Sequence, residues 1–244
     1  MQAIDRDAVV YPDSDGEPMA DNTLQFQWIV VLKENLDAVL PDFVAGDLLW
    51  YPVEGDNRTR RAPDVLVAFG RPKGHRGSYR QWEEGGVAPQ VVMEVLSPRN
   101  TLVEMMGKLD FYRLHGAREF YVVDPANHEL AVWLDAGEGD GLTHVERGER
   151  FTSPLLGITF TVNGELQVFH ADGRRFETFA EIMAARAAAG AERDAAQAER
   201  DAAQAGRDAA QGERDAAQAE RDAAVAEVEA LRAQLRAAGV DPDA

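Results

Sequence analysis

Apolar residues follow a helical period in two stretches of this chain, a strand-like pattern in several others, and a period of seven in its last quarter. Over Asn22–Leu40, Phe26, Ile29, Val30, Lys33, Leu36 and Leu40 recur at helical intervals, with Asp21 or Asn22 placed to cap the helix and Pro41 to end it. Thr101–His115 predicts a second helix, behind the break at Ser97-Pro98 and closed by Gly116. Strand-like runs fall at Asp47–Val53, Asp64–Phe69, Gln90–Ser97, Glu119–Val123, Leu130–Leu134, Ile158–Val162 and Leu166–His170. Helix, strands, helix and strands in that order predict an α/β or α+β domain with a mixed sheet.

The pattern changes near residue 176. Ala191-Glu192-Arg193-Asp194-Ala195-Ala196-Gln197 recurs from Ala198, Ala205, Gly212 and Ala219 with few substitutions. Ala195, Ala198, Ala202, Ala205 and Ala209 keep the 4-3 spacing of a coiled-coil seam. No proline interrupts the chain between Pro154 and Pro242, and all 19 aromatic residues lie at or before Phe179. Residues 1–176 are therefore expected to form the folded domain. Residues 177–244 are expected to form a long alanine-rich helix, a rod of roughly 90 Å at 1.5 Å per residue.

Composition narrows the chemistry. There is no cysteine, which excludes a disulfide framework, a thiolate nucleophile and cysteine-ligated metal sites. No stretch approaches the roughly 20 apolar residues that cross a bilayer, and the N-terminus is acidic where a signal peptide is basic. A soluble, cytoplasmic protein without membrane contact is the expectation. The net charge of −18 argues against coating nucleic acid through the overall field.

Four features point to a site. Glu94 interrupts Val91-Val92-Met93-Glu94-Val95-Leu96, a run apolar on both alternating faces. A carboxylate buried there is costly unless paired, hydrogen-bonded or bound to a metal, the bland alternative being an arginine partner near the strand end. Asp64 opens the next apolar strand after Pro63; alone it suits turn chemistry, but with Glu94 it makes a two-carboxylate candidate for a hard cation such as Mg2+. On the second helix Glu104, Lys108 and His115 share one stripe, beside an apolar face of Leu102, Met105, Leu109 and Tyr112. Taken alone, that helix reads as an ordinary Glu104–Lys108 pair worth about 0.3 kcal/mol. Lastly, Arg58, Arg60, Arg61, Arg71, Lys73, Arg76 and Arg80 stand against a single acid, Asp64, within 23 residues. Such a loop suits phosphate backbones, or else it neutralises the acidic surface of its own domain.

Pro63-Asp64, Glu94-Val95-Leu96-Ser97-Pro98, Lys108-Leu109-Asp110-Phe111-Tyr112 and Gly116-Ala117-Arg118-Glu119-Phe120-Tyr121-Val122-Val123-Asp124-Pro125 together resemble the Uma-type restriction endonuclease family of the PD-(D/E)xK nuclease superfamily. The resemblance covers roughly residues 20–175. It implies an α/β, restriction-endonuclease-like fold with Asp64 and Glu94 on neighbouring strands as ligands of Mg2+ or Mn2+, together with the carbonyl of Val95. The superfamily's lysine two residues after the glutamate is here Leu96, and Lys108 matches its substitute on the following helix. Glu104 and Tyr112 would support that site.

The resemblance thus implies a metal-dependent endonuclease acting on nucleic acid, most simply DNA. The rival expectation is a catalytically degenerate nuclease fold kept as a binding or scaffolding module, with the tail as its interaction arm. A third reading is a coiled-coil interaction protein. In the tail register, acids occupy both flanks of the alanine seam, and near its end the apolar stripe rotates onto a short distal patch of Ala224, Val228, Leu231 and Leu235. A homo-oligomer is therefore expected to form through the globular domain, with any share of the tail confined to that patch.

Overall fold

The computed structural model describes residues 9–16, 18–135, 137, 141–146 and 148–237. By contact density the chain divides into two units between Phe179 and Ala180.

The first unit opens with helix α1 (Thr23–Val39). The Asn22 side chain caps it by accepting from the Gln25 N–H, and the backbone turns extended at Leu40, just before Pro41. Its buried face is Gln25, Ile29, Leu32 and Leu36, so the expected stripe is rotated: Phe26 is 49% exposed and a glutamine leads the core side. Strand β1 (Asp42–Ala45), which was not predicted, comes next, and only β2 (Trp50–Tyr51) forms within the predicted strand Asp47–Val53. The break falls at Gly46-Asp47, with Asp47 in the left-handed region at φ 48°.

Beyond them lie β3 (Val65–Pro72), β4 (Tyr79–Arg80), β5 (Val91–Val95), helix α2 (Leu102–His115), β6 (Glu119–Asp124), β7 (Glu129–Asp135) and β8 (Leu142–His144). The unit closes with β9 (Arg150–Thr152), β10 (Thr159–Val162) and β11 (Leu166–Phe169). The main sheet has six strands in the order β1-β3-β5-β6-β7-β8. Within it β5 and β6 are parallel, joined by α2 as the crossover, and the other neighbours are antiparallel. β9, β10 and β11 form a separate antiparallel sheet, and β2 pairs with β4.

This is an α/β fold with a mixed central sheet between two cores. On one face α1 and the small sheet pack Ile29, Leu32, Leu36, Phe160 and Val168 against Val65, Val91, Met93 and Tyr121. On the other, Trp50, Tyr79 and Tyr112 pack against Leu66, Val92 and Phe120. Every residue of β5 is buried, which explains its apolar run. Alternation sends Val91, Met93 and Val95 to the α1 side, so Val92 and Glu94 project toward α2. Helix α2 sits shallowly: of its predicted apolar face only Tyr112 is buried, and Leu102, on the first turn, is 76% exposed.

From Ala180 on, the described residues of the second unit all belong to helix α3 (Phe179–Ala237), exposed along nearly its whole length. The Leu235 side chain, expected in a distal apolar patch, lies outside the described residues. No helix among the described residues is long and apolar enough to cross a membrane.

Candidate active site

Strand register brings the two predicted carboxylates face to face. β3 and β5 pair antiparallel with Val65 opposite Met93, and one step further along that register Asp64 comes opposite Glu94. Both side chains then fall on the α2 side of the sheet. Asp64 precedes β3 and is anchored rather than loose: its Oδ2 accepts the Val95 N–H at 2.6 Å. Oδ1 has no hydrogen-bond partner among the described residues, and Asp64 lines a cavity of about 780 Å³.

Glu94 is 1% exposed, and both of its oxygens are engaged. Lys108 Nζ donates to Oε2 at 2.7 Å and the Tyr112 hydroxyl donates to Oε1 at 2.5 Å. The two donors are four residues apart on α2 and so lie on one stripe. Local sequence sets that helix in place. Thr101 caps it by accepting from the Glu104 N–H at 3.2 Å, and Gly116, at φ 103°, supplies the left-handed C-cap that returns the chain to β6. The Tyr112 ring is held by Trp50, stacked at 6.1 Å with planes 4° apart. Glu104 is 3.9 Å from Lys108 and 44% exposed. Lys108 therefore belongs to the buried glutamate rather than to its helical neighbour.

The electrostatics follow from burial and proximity. Burial pushes the Asp64 carboxyl well above its ordinary range and the Glu94 charge adds to it, against the Val95 N–H and Lys108. Burial also raises Glu94, only partly countered by Lys108 and Tyr112. Burial works to lower Lys108, but the Glu94 carboxylate outweighs it and the net direction is up, so the ammonium keeps its charge. Tyr112 is driven well up by burial and by Glu94, which keeps its phenol a donor.

The Val95 carbonyl, expected to face a metal, accepts from Gln25 Nε2 at 2.9 Å. Gln25 is a buried polar side chain whose Oε1 accepts the Asp21 N–H, so it ties the start of α1 to the end of β5. Its only sequence signal was an amide inside an amphipathic helix, and the predicted stripe through Phe26 and Ile29 did not include it.

The basic run divides into two groups. Arg58, Arg60 and Arg61 line the cavity with Asp64 and Lys108, joined by Arg99 from the loop before α2. Arg71, Lys73, Arg76 and Arg80 instead engage groups of their own domain. Arg71 donates to the Gly70 and Glu84 carbonyls, and Lys73 pairs with Asp37 at 2.9 Å. Arg76 pairs with Glu84 at 2.5 Å and stacks on Phe43, while Arg80 pairs with Glu83 at 3.2 Å. Those acids are distant in sequence or beyond the run, so the run itself could not reveal the division.

Among the described residues no group of three or more His, Asp or Glu side chains is gathered as a metal site. The donor set nonetheless fits a hard cation. It offers oxygens only, one of them the unpartnered Oδ1 of Asp64, and two carboxylates that repel each other until positive charge is shared between them. Glu94 would have to share Oε2 between such an ion and Lys108.

A family model described as Uma2, "Putative restriction endonuclease", matches residues 17–163. The match covers more than half of the sequence, and the chain belongs to this family. A crystal structure described as a putative nuclease belonging to DUF820, from Anabaena variabilis ATCC 29413, is similar at 16% identity with a TM-score of 0.39. That likeness covers 55% of this chain and 72% of the other. No curated protein matches the chain.

Proposed function

We propose that this member of a nuclease family is a metal-dependent endonuclease that hydrolyses phosphodiester bonds in DNA, with Asp64, Glu94 and Lys108 as its catalytic residues. The observation that carries this reading is the meeting of Asp64 with the Glu94–Lys108 pair beside an arginine-lined cavity. Asp64 and Glu94 would hold Mg2+ or Mn2+, which supplies an acidified water and offsets phosphate charge. Lys108, whose raised pKa keeps it an ammonium, stabilises negative charge building on the scissile phosphate. Tyr112 fixes the Glu94 carboxylate through Oε1 and leaves Oε2 toward Lys108. Glu104, at the edge of the same stripe, adds negative charge near Lys108 and touches no reacting group.

Nucleic-acid contact is proposed for Arg58, Arg60 and Arg61, which line the cavity; Arg99 lines it too but already pairs with Asp21 at 3.0 Å. Lys73, Arg76 and Arg80 are proposed to contribute little because acids of the same domain already take up their charge, and Arg71 because its guanidinium already donates to the Gly70 and Glu84 carbonyls.

The test is cleavage of supercoiled plasmid DNA with Mg2+ and with Mn2+ by the wild type and Asp64→Asn. Metal-dependent nicking by the wild type, reduced at least 100-fold in the variant, is expected. A wild type that neither cleaves nor takes up metal would favour the binding-module alternative.

A further inference from the structure

Asp47 is a residue that sequence periodicity placed in a strand and that the fold instead puts at the cleft. The chain leaves β1 through Gly46, passing so close to the start of β3 that a Cβ on Gly46 would lie 3.3 Å from the Asp64 carbonyl oxygen. Asp47 then adopts φ 48°, a left-handed conformation uncommon for residues other than glycine. Its N–H is shared between the Pro63 and Asp64 carbonyls at 3.1 and 3.3 Å. The turn is thus pinned to the backbone that carries Asp64.

The Asp47 side chain has no structural duty to match this construction. An aspartate in such a turn ordinarily caps a nearby N–H. Here the carboxylate makes no hydrogen bond or ion pair among the described residues. It lines the same cavity as Asp64 and Lys108, half-buried, and feels the charges of Asp15, Glu94 and Lys108. Asparagine or glycine would fill the left-handed position equally well without adding a third negative charge to two that already repel. An unpartnered charge lining the cleft in a restrained turn points to a ligand that arrives.

We infer that Asp47 is a positioning residue of the cleft, whose carboxylate accepts hydrogen bonds from the water shell of a divalent cation held at Asp64. This rests on the metal-dependent reading above. The role is indirect because Asp47 is not gathered with Asp64 and Glu94 into a three-carboxylate site. Mg2+ and its like keep several waters when bound by one or two carboxylates, and those waters need acceptors.

The experiment is Mn2+ binding to the full chain by isothermal titration calorimetry, with thermal midpoints measured in parallel. Asp47→Asn is expected to weaken Mn2+ affinity by about tenfold, at the lower end of what loss of an indirect metal partner costs. Its thermal midpoint without metal should stay the same or rise. Asp47→Gly, suited to the left-handed backbone, should show the same loss and carries the test if the asparagine variant folds poorly. Affinity within twofold of wild type in either folded variant, alongside loss in Asp64→Asn, would overturn this inference alone. A wild type that binds no Mn2+ would overturn the metal-dependent reading and this inference together.

Discussion

Lys108 Nζ lies 2.7 Å from Glu94 Oε2, with 17% of the lysine side chain and 2% of the glutamate side chain exposed. The contact links the middle of β5 to the middle of α2 and is the main charge compensation for an acid that β5 buries completely. Burial of the pair makes it costly to break, because either partner left alone is an uncompensated charge in a low-dielectric site. Lys108→Met should therefore lower stability by about 3 kcal/mol in urea denaturation. Combining it with Glu94→Gln should restore most of the loss, since the double variant buries no charge. A single-variant loss under about 1 kcal/mol would show that water reaches Glu94 and shares its load.

Both long helices of the first unit were legible because their signals are local. Asn22, Thr101 and Gly116 occupy the caps their side chains and conformations favour. Glu94 was legible because an acid inside a doubly apolar strand has few physical explanations. Its partner was not legible from periodicity, since Glu104, one turn from Lys108, offered a simpler local pairing; the family resemblance put Lys108 with Glu94, and the β5–α2 approach brings the two together. β2 and β4, two residues each, are too short to carry a period of two. Asp47 was missed because an apolar run on each side of it hid the turn at Gly46.

Arg58, Arg60 and Arg61 should carry the salt dependence of DNA binding. Replacing all three with glutamine is expected to reduce the slope of log affinity against log salt by up to about 2.7, at roughly 0.9 per duplex phosphate contact. Replacing Lys73 and Arg76 with glutamine should leave the slope within experimental scatter, because Asp37 and Glu84 already hold those side chains. Fluorescence anisotropy on a metal-free duplex at several salt concentrations separates the two groups. Equal effects from both sets would return the whole run, Arg58 to Arg80, to one phosphate-tracking surface.

His170 gives the fold a pH dependence unrelated to the cleft. Its Nδ1 is buried without a hydrogen-bond partner, the one such side-chain atom among the described residues, and its ring lies against Phe176 at 4.4 Å. Burial, aided by Arg174, holds the imidazole below its ordinary value of 6.5. The folded state thus binds fewer protons than the unfolded chain just below that value. The stability contribution is complete above about pH 6.5 and is lost as the pH falls through the folded value. The thermal midpoint should drop between pH 7.5 and pH 5.5, and His170→Phe should make that drop smaller. Some dependence should remain from His115, which burial also lowers. An identical drop in the variant would place the titration elsewhere.

The tail should not hold two copies together, despite its heptads. With Ala195, Ala202 and Ala209 at the a positions, Glu192, Glu199, Glu213 and Glu220 fall at e, and Asp194, Asp201, Asp208 and Asp215 at g. Parallel helices would set Asp against Glu, and antiparallel ones Asp against Asp and Glu against Glu, so both arrangements repel. Four glutamines already satisfy aspartates along the same helix: Gln197–Asp201, Gln204–Asp208 and Gln218–Asp222 at 2.8 Å, and Gln211–Asp215 at 2.7 Å. Those bonds stiffen a single helix and leave the carboxylate charge facing outward. The seam offers only methyl groups until Val225, Val228 and Leu231, all at least half exposed, and so buries little to offset the repulsion. Sedimentation velocity at neutral pH should find the full chain and a chain ending at Ala180 in the same oligomeric state. A dimer of the full chain that dissociates on removing residues 181–244 would show that alanine packing along the seam outweighs the acids beside it.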